Sequence, residues 1–179
     1  MRILFVLKQK KNVDTFLPTI RLLLDRGHHV ALGVQEWNDR RDDDYRTEIP
    51  SPHFSVVRCP MNRADQWGEV AYLLRGLRDC AHYQQPALRN AAKLQGRTIQ
   101  KLREELRLPV DNAAAAALLR EVPAPQMRRL ESVFELAERQ LPSDPLHDEF
   151  LREQAPVLLL LSPLVHFGSA QADLVTSAR

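Results

Sequence analysis

The first 36 residues constrain the fold more than any other part of the chain. Arg2–Leu7 (RILFVL) is apolar from its second residue onward, and such a run reads as a strand buried on both faces, as in a parallel sheet. Phe16, Ile20, Leu23 and Leu24 then fall at i, i+4, i+7 and i+8. They make one helical stripe, with Asp14 or Thr15 placed to cap its start and Pro18 tolerated in its first turn. Gly27 supplies the stop, and Val30, Leu32 and Val34 alternate through His29–Val34 as a second strand. Strand, helix and strand in this order form a crossover unit, which predicts parallel pairing.

Glu36–Pro52 mixes both charges without apolar spacing and ends in two prolines, so it reads as a loop; His53–Arg58 (HFSVVR) reads as a third strand. From Arg63 to Gln154 the period is helical. The first helix carries Val70, Leu73, Leu74, Leu77 and Ala81 on one face, and a second, from Pro86 to Leu106, turns Leu88, Ala92, Ile99, Leu102 and Leu106 inward. Asn112–Glu121 is a short alanine-rich helix, and a longer one buries Met127, Leu130, Phe134, Ala137 and Leu141. Val157–Leu161 (VLLLL) is apolar at every position, as a central strand covered on both sides would be. A last helix follows Gly168, with Ser169 as its expected N-cap.

The predicted fold is therefore α/β: a Rossmann-like parallel sheet of order 3-2-1-4 flanked by helices, with an all-helical insert over about residues 63–155 between strands 3 and 4. No strand follows the last helix in the sequence. The chain accordingly reads as one incomplete N-terminal domain over 1–179, with Leu174 and Val175 left partly exposed and Asp173 either exposed or turned towards a missing neighbour.

Composition narrows the functional classes. A net charge of +2 over 179 residues does not by itself imply nucleic acid. Cys59 and Cys80 have no metal-ligand or CxxC spacing, and with no leader ahead of Arg2 they read as reduced thiols of a cytoplasmic protein. The Val157–Leu161 run is too short to span a membrane, since Pro163 follows at once.

Ligands of α/β sheets bind beyond the carboxyl ends of the strands. The first such loop reads Lys8, Gln9, Lys10, Lys11, Asn12. It lacks GxGxxG and GxxxxGK[ST], which disfavours dinucleotide and P-loop phosphate binding; its lysines form either an anion-receiving loop or a solvated basic one. Gly168 and Ser169 make a second candidate, a flexible backbone beside a helix N-terminus suited to phosphate, carboxylate or sugar hydroxyl. His166 in the same loop is a candidate general base, or a loop histidine satisfied by backbone. Arg89, Lys93, Arg97 and Lys101 recur every four residues; they form a stripe for anionic lipid or a solvated helix face. No Ser/His/Asp, Cys/His or zinc constellation is identifiable, so the sequence names no metal.

Two blocks carry a resemblance. Leu23, Leu24, Asp25, Arg26, Gly27, His28, His29 and Val30 resemble the L-x-x-RGH-x-V stretch that closes the first helix in GT-B type glycosyltransferases. Pro163, Leu164, Val165, Phe167, Gly168, Ser169, Gln171 and Asp173 are similar to the PLV-D-FGS-x-Q-x-D block of a bacterial subgroup, with His166 in place of the acid. The resemblance implies two Rossmann-like domains, the first receiving the acceptor and the second, absent here, holding the nucleotide sugar. It also implies that Lys8, Lys10, Asn12, Gly168 and Ser169 face the cleft, with no cofactor bound by this portion and no nucleic-acid partner.

The expectation that follows is the acceptor-side portion of a glycosyltransferase, inactive alone, with a glycosyl acceptor as partner and a peripheral contact to the inner membrane face. A nucleotide-sugar epimerase of the same fold and a non-catalytic interaction module are the alternatives.

Overall fold

The computed structural model describes residues 1–9, 12–36, 45, 48–88, 90–162 and 167–179. The chain forms two compact units. One comprises Met1–Ala64, Ser143–Leu164 and Ala170–Arg179; the other comprises Asp65–Pro142 and Val165–Ser169.

The first unit holds β1 (Arg2–Gln9), α1 (Val13–Asp25), β2 (His29–Glu36), β3 (Phe54–Arg58) and β4 (Leu158–Ser162). All pairings are parallel and the order is β3-β2-β1-β4, as the sequence pattern predicts. The register sets Phe5 beside Leu32 and Leu160, and Leu7 beside Val34 and Ser162. Because side chains alternate across a strand, Ile3, Phe5, Leu7, Leu32 and Val34 pack on one face with Val13 and Ile20 of α1. Leu4, Val6 and Ala31 pack on the other with Phe150, Leu151 and Leu174. Each such fully buried aliphatic side chain contributes about 1.5–3 kcal/mol of burial free energy.

Helix α1 starts one residue after Asn12, ahead of the expected caps Asp14 and Thr15, and this places Val13 in the core. It ends as the sequence requires. Gly27 takes φ +76°, its N–H donates to Leu24 O and that of His28 to Leu23 O, the paired bonds of a Schellman stop. Within the expected loop, Tyr45 and Ile49 are buried in the α1-side core, joined by Ile49 N–H donating to Tyr45 O.

Three expectations at the carboxyl end of the chain are overturned. β4 takes the end place that the order 3-2-1-4 gives it, but it is not covered on both sides: Val157 is 74% exposed, Leu158 38%, and Leu159–Ser162 are half-buried. An all-apolar run specifies apolar neighbours but not their number. Helix α7 (Gln171–Ser177) is capped at Ala170, not Ser169, and it buries Leu174 fully while Val175 is half-buried. Asp173 is buried too, held by Arg63. The last helix of the insert, α6 (Pro145–Gln154), belongs with this unit and supplies Phe150 and Leu151.

The helical unit contains α2 (Gly68–Tyr83), a 3₁₀ turn (Pro86–Leu88), α3 (Ala92–Glu105), α4 (Asn112–Glu121) and α5 (Ala124–Arg139). The single helix expected over Pro86–Leu106 is thus broken. Gln95 Nε2 donates to the carbonyls of Tyr83 and Leu88, at 2.9 and 3.3 Å, satisfying acceptors that the break sets free. Leu130 faces solvent, contrary to the apolar stripe assigned to it. The reason is electrostatic: Glu131 accepts from Gln85 and pairs with His82, while Glu138 pairs with Arg75 and Arg78 of α2. These contacts turn the Met127, Glu131, Phe134, Glu138 side of α5 inward.

Candidate functional site

The carboxyl edge of the sheet is where the topology gathers chain ends. Leu7 pairs with Ser162, so β4 ends beside β1 two residues short of the end of β1 at Gln9. Lys8 and Gln9, half-buried, complete β1. Asn12 sits at the N-cap of α1 with helical backbone angles and no side-chain cap bond. Lys10 and His166 lie outside the described residues, as do Lys11 and Arg89.

A polar frame surrounds this edge, and the sequence pattern did not reveal it. Gln35, near the end of β2, is buried and donates from Nε2 to Pro60 O at 3.1 Å. Cys59 packs over Gly33, whose absent side chain leaves room: a Cβ there would lie 3.2 Å from Cys59 Cβ. The segment leaving β3 therefore crosses β2 and ends at Arg63, which donates from Nη1 to Asp173 Oδ1 at 3.2 Å. Gln171 donates from Nε2 to Ser162 O at 3.3 Å and is itself buried. Sequence gave one hint, since Gln171 and Asp173 belong to the second resemblance block. Their partners stand 9 and 110 residues away.

Gly168 and Ser169 belong to the helical unit. Gly168 takes φ +63°, and a Cβ there would lie 2.4 Å from Tyr72 Cδ2 and 2.9 Å from Tyr72 O. One turn along α2, a Cβ at Gly76 would lie 2.2 Å from Phe167 Cζ, and Phe167 meets Tyr72 edge-on with ring centres 5.7 Å apart. The glycine is thus required by packing against α2 as well as by its backbone angle. Ser169 O accepts from Arg75 Nη1 at 3.2 Å, while Arg75 Nε donates to Glu138 at 2.7 Å. Tyr72 donates to Glu105 at 3.0 Å, and burial with this carboxylate pushes its hydroxyl up to about 12. Lys93, Arg97 and Lys101 are exposed on α3, and Lys101 pairs with Glu104.

Both thiols among the described residues are buried. Burial pushes the Cys59 thiol up to about 12 and that of Cys80 up to about 11, far from the thiolate that nucleophilic chemistry needs. Asp144 and His147 form a fully buried pair at the start of α6, with Asp144 Oδ1 and His147 Nε2 unpartnered yet closed to solvent. No group of three or more His, Cys, Asp or Glu among the described residues is placed to hold a metal ion. No helix there is long and apolar enough to cross a membrane. At the carboxyl edge the Gln35 and Gln171 amides are bonded to the carbonyls of Pro60 and Ser162.

The fold and edge define a Rossmann-like α/β unit. Compared with protein-family models, curated proteins and solved structures, the chain matches none.

Proposed function

We propose that this chain is the N-terminal, acceptor-binding portion of a GT-B type glycosyltransferase, which moves a sugar from a nucleotide-sugar donor to an acceptor. The observation that carries the reading is the 3-2-1-4 parallel sheet, in which Leu7 pairs with Ser162 and β4 ends beside β1 at the edge where such sheets take ligands. The two resemblance blocks support it. The first forms the helix stop and the start of β2, and in the second Gln171 and Asp173 tie α7 to Ser162 and to Arg63. On this reading Lys8, Lys10 and Asn12 receive the acceptor and Gly168 and Ser169 shape the loop that follows β4. The donor nucleotide binds a second domain, and that domain stabilises the departing diphosphate. The exposed Lys93, Arg97 and Lys101 supply a contact for an anionic membrane surface.

The test is protein-observed amide NMR and thermal shift on this chain with a panel of glycans, glycolipid headgroups and nucleotide sugars. The reading expects an acceptor-type glycan to bind and to shift the Lys8, Gln9 and Asn12 amides, with weakened binding in Lys8→Ala and no stabilisation by nucleotide sugars. Stabilisation by a nucleotide sugar alone would favour the epimerase. Response to neither class, with a protein partner recovered instead, would favour the interaction module.

A further inference from the structure

At the opposite, amino-terminal edge of the sheet, two histidines 24 residues apart in sequence are brought ring to ring. His29 opens β2 and His53 immediately precedes β3; since Val30 pairs with Phe54, the parallel register sets the two side by side. Both backbones are fixed. His29 N–H donates to Met1 O and Val30 N–H to His53 O, each at 2.9 Å, and His53 N–H donates to Ser51 Oγ at 3.2 Å. The rings cross at 76° with centres 4.4 Å apart, and the two Nδ1 atoms stand 3.3 Å from each other. Both His29 and His53 are exposed, so solvent reaches the pair.

We infer that His29 and His53 form a two-histidine site for a tetrahedral divalent ion, zinc by preference, with water completing the coordination. Two imidazole nitrogens each about 2.0–2.1 Å from a tetrahedral ion lie about 3.3–3.4 Å apart, which is the separation found. Without metal, one Nδ1–H donates to the other Nδ1. An entering ion replaces that shared proton, and both rings then carry their proton on Nε2. A site with two protein ligands binds exchangeably, which fits an acquired or regulatory ion better than a structural one.

The experiment is calorimetric titration of the chain with ZnCl₂, paired with Co²⁺ absorption as a probe of tetrahedral geometry, on wild type and on His29→Asn, His53→Asn and His28→Asn. The inference expects zinc uptake with an intense tetrahedral Co²⁺ band. Affinity should fall at least tenfold in His29→Asn and His53→Asn and stay unchanged in His28→Asn, with zinc raising Tm in wild type and His28→Asn but not in the other two. His53 is exposed, so its variant decides the matter if His29→Asn does not fold. Zinc binding of equal strength in His53→Asn, or none in wild type, would overturn the inference.

Discussion

Arg63 and Asp173 form an ion pair across 110 residues of sequence, Nη1 to Oδ1 at 3.2 Å, with side chains only 3% and 2% exposed. β3 and β4 are opposite edges of the four-stranded sheet, so the pair joins the segment after one edge strand to the helix after the other. Removing one partner takes this ion pair away from a charge that stays buried. Asp173→Ala should cost about 3–5 kcal/mol, whereas Arg63→Met with Asp173→Leu should cost much less. Chemical denaturation of the three proteins checks this; equal losses in single and double variants would show that the pair does not act as a unit.

Gly168→Ala meets two separate penalties. The left-handed backbone angle costs about 1–2 kcal/mol for a residue with a Cβ, and the contact with Tyr72 adds to it. Tyr72→Ala in the same chain should remove the ring clash but leave the backbone contribution. Melting curves should therefore show partial, not full, rescue; complete rescue would mean that the backbone angle carries no cost.

The open side of β4 should make the chain sticky. Val157 and Leu158 are exposed next to a strand that, among the described residues, is paired on one side only, and such edges template association. Light scattering after size exclusion should show mass rising with concentration. Val157→Lys with Leu158→Lys should suppress that rise while Tm changes little. A protein that stays monomeric at high concentration would refute the expectation.

The two thiols predict a pH dependence. Cys59 and Cys80 ordinarily ionise near 9.0, and burial raises them to about 12 and about 11. The folded state holds these protons more tightly than the unfolded one. Their contribution to stability is therefore complete below pH 9 and is lost as pH rises towards 11 and 12. Iodoacetamide at pH 8 should label both residues only on unfolding, as mass spectrometry would show; labelling of the native protein at the unfolded rate would contradict the burial.

Much of the sheet was legible because its signals are local: RILFVL, the Gly27 stop and the alternation from Val30 encode themselves within a few residues. The same locality explains what was missed. How far β4 is covered depends on what packs against its faces, which VLLLL does not carry. Asp173 and Gln171 were visible as residues, but their roles are set by Arg63 and Ser162. Glu131 and Glu138 turned α5 against its apolar pattern because their partners sit on another helix. His29 and His53 became neighbours only through strand register.

The pairing of Ile3 with Leu158 has a kinetic corollary. Completing the β1–β4 ladder closes a loop of roughly 150 residues, and closure entropy grows with the logarithm of loop length. Most of the second compact unit, Asp65–Pro142, lies within that loop, and the turns of its helices are local structure that arises quickly. Once condensed, it shortens the distance that the ends of β1 and β4 must search. Docking of β4 should thus be the slow, late event of folding, and hydrogen exchange during refolding should protect the α2 amides before those of β4.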